Sequence, residues 1–184
     1  PISNIVYMGM GEPLLNYKSV VNSTNYITSK HGLGMSPKRI TVSTAGISKM
    51  IRKLGDDKVK FNLAISLHSA SDKKRDDLMP LNKKINLSEL SSAVRYFYEQ
   101  TGTRVTYEYI LFKNVNDSII DAKELVRFAK NTPCKVNLIE YNLVENLPFE
   151  KSSYNLTTNF IKHLEQNNII VNLRKSKGKD IAAA

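Results

Sequence analysis

The chain has 184 residues, which suits one domain (1–184) with a sizeable core. Charged residues are 24% and hydrophobic ones 41%, which excludes wholesale disorder, and no run of about 18 apolar residues exists to cross a membrane. With 27 Lys and Arg against 17 Asp and Glu, the net charge of +10 favours a polyanion, nucleic acid before a membrane surface, over a neutral partner, although solvated surface charge accounts for it equally well.

The first residues, Pro1-Ile2-Ser3-Asn4, carry no basic region or cleavage site, so no signal peptide is expected, and a chain that opens at a strand is expected to be cut from a longer one. Residues 5–8 read as a strand. A Gly/Pro loop follows, then a helix with Val20, Val21, Thr24 and Ile27 on one face. Residues 38–43 form a β-branched strand, followed by a short helix through Ile47, Met50, Ile51 and Leu54. Residues 61–67 are nearly all apolar, as a strand buried on both faces would be. A charged turn is expected over residues 72–77. Asn86 with Glu89 three residues on signals a helix start, and Leu87, Leu90, Val94, Phe97 and Tyr98 mark its apolar stripe. Strand 104–111, helix 119–130, strand 135–141, a helix through Leu156, Phe160, Ile161 and Leu164, and strand 169–173 complete the pattern.

Strands alternating with helices predict right-handed βαβ units and a parallel sheet, either open and doubly wound or a partial barrel. Both bind ligands at the carboxyl ends of the strands. Polar groups collect there. Gly9-Met10-Gly11-Glu12-Pro13 follows the first strand, with glycines that let a ligand approach the backbone and a carboxylate suited to an ammonium group. Ser43-Thr44-Ala45-Gly46 follows the second, Ser66-Leu67-His68-Ser69 the third and Tyr141-Asn142 the fifth. Each cluster alone also reads as turn and cap chemistry; four together point to a ligand site. No GxGxxG, P-loop or HExxH motif is present. His68 reads as a structural histidine before a catalytic one, and His31 and His163 as incidental. The single Cys134 excludes an intrachain disulfide and a cysteine-held metal, and it points to a reducing, cytoplasmic setting.

These motifs, together with Arg75, Leu78-Met79-Pro80, Asn82, Asn116-Asp117, Val136-Asn137-Leu138-Ile139 and Gly178-Lys179-Asp180-Ile181, occur in one order. The ordered set resembles the radical S-adenosylmethionine methyltransferases that modify C2 of adenine in RNA, and their C8-methylating antibiotic-resistance relatives, from about residue 5 to 184. The resemblance implies an α/β fold, a partial (β/α)6 barrel lacking its first, cluster-bearing strand. It implies S-adenosylmethionine contacts at Gly11, Glu12, Ser43, Ser66, Leu67, His68 and Asn142, with Glu12 facing the methionine ammonium. RNA is the implied substrate, an adenosine of 23S rRNA and, for many relatives, of tRNA. Arg75, Asn82, Arg174 and Lys175 are candidate RNA contacts, or else loop charge in solvent.

The family's CxxxCxxC motif, which holds a 4Fe-4S cluster, is absent, as is its N-terminal accessory domain. Its methyl-carrying cysteine is expected just after Ala184. No catalytic residue or metal ligand is therefore expected in this chain, which by itself should be inactive. The intact enzyme is expected to be a cytoplasmic monomer with no membrane attachment, drawing on an electron donor such as flavodoxin. Competing readings are a radical enzyme acting on a non-RNA substrate, a catalytically silent RNA-binding module, and an ordinary barrel enzyme with a phosphate site. The first is opposed by the stretch from Arg75 to Asn82 and by the Gly178 tail.

Overall fold

The computed structural model describes residues 2–144 and 147–174. Six strands, β1 (Ile5–Tyr7), β2 (Ile40–Thr44), β3 (Asn62–Ser66), β4 (Val105–Leu111), β5 (Cys134–Glu140) and β6 (Ile170–Arg174), form one sheet. All neighbouring pairs are parallel, and the strands stand in chain order. A doubly wound sheet reverses its order at a switch point. This sheet never does, so every crossover advances the same way. The result is the singly wound, barrel-like alternative.

Winding in one direction puts the helices on one face. They are α1 (Tyr17–Thr28), α2 (Ser48–Asp56), α3 (Asp72–Leu78), α4 (Leu87–Thr101), α5 (Ile119–Ala129) and α6 (Tyr154–Gln166). The register aligns Val42 with Leu63, Ile65 with Tyr107, Tyr107 with Val136 and Tyr109 with Leu138 on that face. All seven of these strand residues are buried in one cluster with Ile51, Leu54, Leu90, Val94, Phe97, Leu125, Phe160 and Leu164 from the helices. Each fully buried side chain of this kind contributes about 1.5–3 kcal/mol. Helix starts are capped as their sequences suggest. Asn86 Oδ1 accepts from the Glu89 N–H at 2.9 Å, and Ser118 and Asp121 form a reciprocal capping box on α5.

The opposite, concave face is polar. The same register carries Thr41 and Ser43 of β2, Asn62 and Ser66 of β3, Thr106 and Glu108 of β4, Asn137 of β5, and Asn172 and Arg174 of β6 along it. Two expectations change here. β3 is buried on both faces only at its centre, where Leu63, Ala64 and Ile65 are fully buried; Asn62 and Ser66, at its two ends on the concave face, are half-buried, because helices cover only the other side. Residues 72–77 are not a turn but belong to α3, whose Arg75 is anchored inside the protein. Among the described residues, no helix is long and apolar enough to cross a membrane.

Candidate functional site

Parallel strands deliver all their carboxyl ends to one edge, and the polar concave face runs up to it. The loop after β1 is built around Gly9 and Gly11, with φ of +118° and +82°. A Cβ at either glycine would meet nothing within 4 Å, so the backbone demands glycine while the space beside it stays open. Glu12, half-buried, spends its carboxylate on two backbone donors. Oε1 accepts from the Leu14 N–H at 3.0 Å and Oε2 from the Ala45 N–H at 2.7 Å. Glu12 thus caps the 3₁₀ turn Pro13–Asn16 and ties the β1 loop to the end of β2. Each oxygen retains a lone pair for a further donor such as an ammonium.

Ser43 and Ser66 lie half-buried on the concave face, and neither hydroxyl has a protein partner among the described residues. His68 occupies a tight turn. Its φ is +55°, and the Ser69 N–H reaches back to the Leu67 carbonyl at 2.7 Å. A non-glycine residue there is strained, and such strain gathers at functional sites. Nδ1 of His68 accepts from the Ile110 N–H at 3.1 Å, which places the proton of the neutral ring on Nε2. Burial, and then the nearby Arg75 charge, pull its pKa down from 6.5 to about 4, so the ring is neutral at physiological pH. Nε2–H has no protein partner among the described residues and is available as a donor.

Not every expected residue reaches this rim. Leu67 has its side chain in the core, its N–H on the Glu108 carbonyl and its own carbonyl on Arg75, so its part is structural. Asn142, half-buried, follows β5 at the same edge. Arg75 and Asn82 correct an expectation outright. They are 1% and 3% exposed and spend their polar atoms on internal partners, so neither presents a surface to RNA. Arg174 Nη1 lies 3.5 Å from Glu108 Oε2 on the concave face, so its charge is partly engaged inside. Lys175, and the position expected for a methyl-carrying cysteine, lie outside the described residues.

Asn116 and Asn137 stand in the sequence motifs, but what they hold, and Glu108 altogether, escaped the sequence reading. Asn116, fully buried, donates from Nδ2 to the carbonyls of His68 (2.6 Å) and Ile110 (2.8 Å), and its Oδ1 accepts from the Phe112 N–H at 2.7 Å. It laces the end of β3 to that of β4. Glu108, 5% exposed, accepts from Asn137 Nδ2 at 2.8 Å, and Asn172 Nδ2 donates to Asn137 Oδ1 at 3.2 Å. The alternation Thr106, Glu108, Ile110 against Val105, Tyr107, Tyr109 was the available signal for this row.

The groups present fit S-adenosylmethionine. A carboxylate, two hydroxyls without a partner among the described residues and an imidazole N–H converge beside a glycine loop with open space. They do not fit an iron–sulfur cluster. Among the described residues no three His, Cys, Asp or Glu side chains could hold a metal. Cys134 opens β5, at the far end of the sheet from this rim, and its thiol donates to the Ala129 carbonyl at 3.4 Å.

No protein-family model matches the chain. It is 53% identical over 184 residues to a protein of Flavobacterium psychrophilum named "Probable dual-specificity RNA methyltransferase RlmN", covering all of this chain and 53% of that one. It is 42% identical over 184 residues to the "Dual-specificity RNA methyltransferase RlmN" of an Anaeromyxobacter species, covering 48% of it. The chain spans about half the length of the curated relatives it matches. The crystal structure of a radical SAM methyltransferase from Sphaerobacter thermophilus superposes with a TM-score of 0.95 at 39% identity, over the whole chain and 54% of that protein. A domain of a pyruvate-formate lyase-activating enzyme from Bacteroides vulgatus, at 14% identity and a TM-score of 0.71, covering 94% of this chain and 99% of its own, shares the fold alone. By sequence over its full length and by fold, the chain is therefore similar to about half of the proteins named dual-specificity RNA methyltransferases and of a radical SAM methyltransferase.

Proposed function

We propose that this chain is the S-adenosylmethionine-binding core of a radical-type RNA methyltransferase that acts on an adenosine of 23S rRNA, and of tRNA. The observation that carries the reading is the strand-end rim: Glu12, Ser43, Ser66 and His68 converge there with donors and acceptors in hand, beside the open Gly9–Gly11 loop. Glu12 would receive the methionine ammonium between the two backbone N–H groups it already holds. The hydroxyls of Ser43 and Ser66 and the His68 Nε2–H would meet the polar atoms of the nucleoside. Asn142 would close the site from β5. When bound, S-adenosylmethionine supplies the methyl group and, on reduction, the radical chemistry that the unreactive C2 of adenine requires. The protein's own part is to orient the ligand and to keep the His68 ring neutral as a donor.

The cluster that would reduce the ligand finds no set of ligands among the described residues. We assign it to the portion of the relatives that this chain does not span, and with it an electron donor such as flavodoxin. The net charge of +10 supports RNA as partner. The lone Cys134 accords with a cytoplasmic setting, and we propose a monomer. C2 is the preferred target carbon. Calorimetric titration with S-adenosylmethionine tests the reading. Stoichiometric binding is expected; RNA affinity without it would instead leave a catalytically silent RNA-binding module.

A further inference from the structure

Arg75 lies on α3, outside every strand, yet its side chain is among the most deeply buried in the protein. Its guanidinium collects carbonyls from two different strand ends. Nη2 donates to Ala45 O at 2.8 Å and Ser66 O at 3.3 Å, and Nε donates to Leu67 O at 3.2 Å. Nη1 donates to Asn82 Oδ1 at 2.7 Å. Asn82 Nδ2 in turn donates to Asp72 Oδ1 at 3.1 Å and Asp76 Oδ1 at 2.6 Å, so the charge is balanced through an intermediary. The surroundings are shaped for this reach. Gly46 has φ +110°, and a Cβ there would lie 3.4 Å from Arg75 Nη2 and 3.1 Å from Leu90 Cδ1.

An apolar side chain would fill this volume without the desolvation of a charge, so packing alone does not explain an arginine. What a planar fork of donors does, and an apolar group does not, is set several carbonyls in fixed relative positions. The residues so held are those that shape the rim. Ala45 donates its N–H to Glu12 and gives its carbonyl to Arg75, so one residue separates the acid from the guanidinium. The Leu67 carbonyl takes both Arg75 Nε and the Ser69 N–H that closes the turn holding His68.

We propose that Arg75 is a positioning residue for the S-adenosylmethionine site, setting Glu12 through Ala45 and the His68 turn through Leu67. This rests on the ligand reading above. It also accounts for Arg75 and Asn82 occurring together in the sequence motif, which RNA contact does not, since both are buried.

The test is a calorimetric Kd for S-adenosylmethionine, with a urea-denaturation midpoint, for wild type, Arg75→Lys, Asn82→Ala and the core variant Leu164→Ala on the distant α6. Lysine keeps the charge but serves fewer carbonyls, so Kd should rise about tenfold or more. Asn82→Ala removes only the Nη1 anchor and should raise Kd by less. Leu164→Ala should lower the midpoint and leave Kd alone. A folded Arg75→Lys protein with wild-type Kd overturns the proposal. So does a Leu164→Ala protein whose Kd rises in step with its lost stability, because the effect is then merely structural. If Arg75→Lys does not fold, Asn82→Ala decides by the same criterion. Failure of the wild type to bind is a separate result and overturns the ligand reading itself.

Discussion

Glu12 carries two separable roles, and replacing it by glutamine and by alanine pulls them apart. The carboxylate accepts from Leu14 N–H at 3.0 Å and from Ala45 N–H at 2.7 Å. Glutamine keeps one carbonyl oxygen, so either flip of the amide leaves one of these donors facing an NH2. A hydrogen bond to a charged acceptor contributes about 1.5–3 kcal/mol. The site is only half-buried, so water can reach a freed N–H and the lower figure applies. Glu12→Gln should therefore destabilise the fold by about 1.5 kcal/mol, a fall in Tm of about 3–6 °C for a chain of this size. Glu12→Ala frees both donors and should cost about 3 kcal/mol. Affinity for S-adenosylmethionine follows a different rule. Its ammonium loses a charged partner in both variants, so Kd should rise about tenfold or more in each. Urea denaturation and calorimetry on the same samples give both numbers. If both variants lose stability on this scale while Kd stays at the wild-type value, Glu12 is a loop cap and no ligand contact.

Three further outcomes are expected. The unfolded His68 ring takes up a proton below its ordinary 6.5, whereas the folded ring waits until about 4. Its contribution is therefore intact above pH 6.5 and is lost as pH falls toward 4, by up to about 1.4 kcal/mol per pH unit; His68→Asn, which tolerates the left-handed backbone, should flatten that slope in urea titrations, and a variant with the wild-type slope would refute the shift. Burial pushes the Cys134 thiol up to about 11, so at pH 8 only about one molecule in a thousand carries the thiolate; alkylation by iodoacetamide should be far slower in the folded protein than in urea, and equal rates would contradict its burial. Lys175→Glu should weaken binding to all RNAs alike and flatten the salt dependence of affinity by about one unit, while Arg174→Gln should do less because Glu108 already engages that guanidinium; filter-binding titrations at several salt concentrations compare them, and a larger effect from Arg174 would show that its bond to Glu108 does not persist in solution.

Local pattern along the chain determines a good deal here. β-branched and aromatic runs between helical stripes predict the six strands in their order, because burying a strand or helix face leaves a period that one segment displays by itself. The rim motifs are also legible, since each sits directly after its own strand: Gly11 and Glu12 after β1, Ser43 at the end of β2, Ser66 and His68 at the end of β3. Fold and site assignment then differ in what they need. Whether β3 is covered on one face or two depends on the winding of the whole sheet, which no single strand encodes. Arg75 looks like loop charge until α3 folds against the strand ends, where a residue 30 positions earlier, Ala45, supplies one of its acceptors. Glu108 meets Asn137 across 29 residues and Arg174 across 66, pairs that exist only once β4, β5 and β6 are in register. Hydrogen-bond partners so far apart in sequence are chosen by register and by helix packing. Arg75, Asn82 and Asn116 could be named from the sequence, but their part in holding the rim in place became visible only in the tertiary structure.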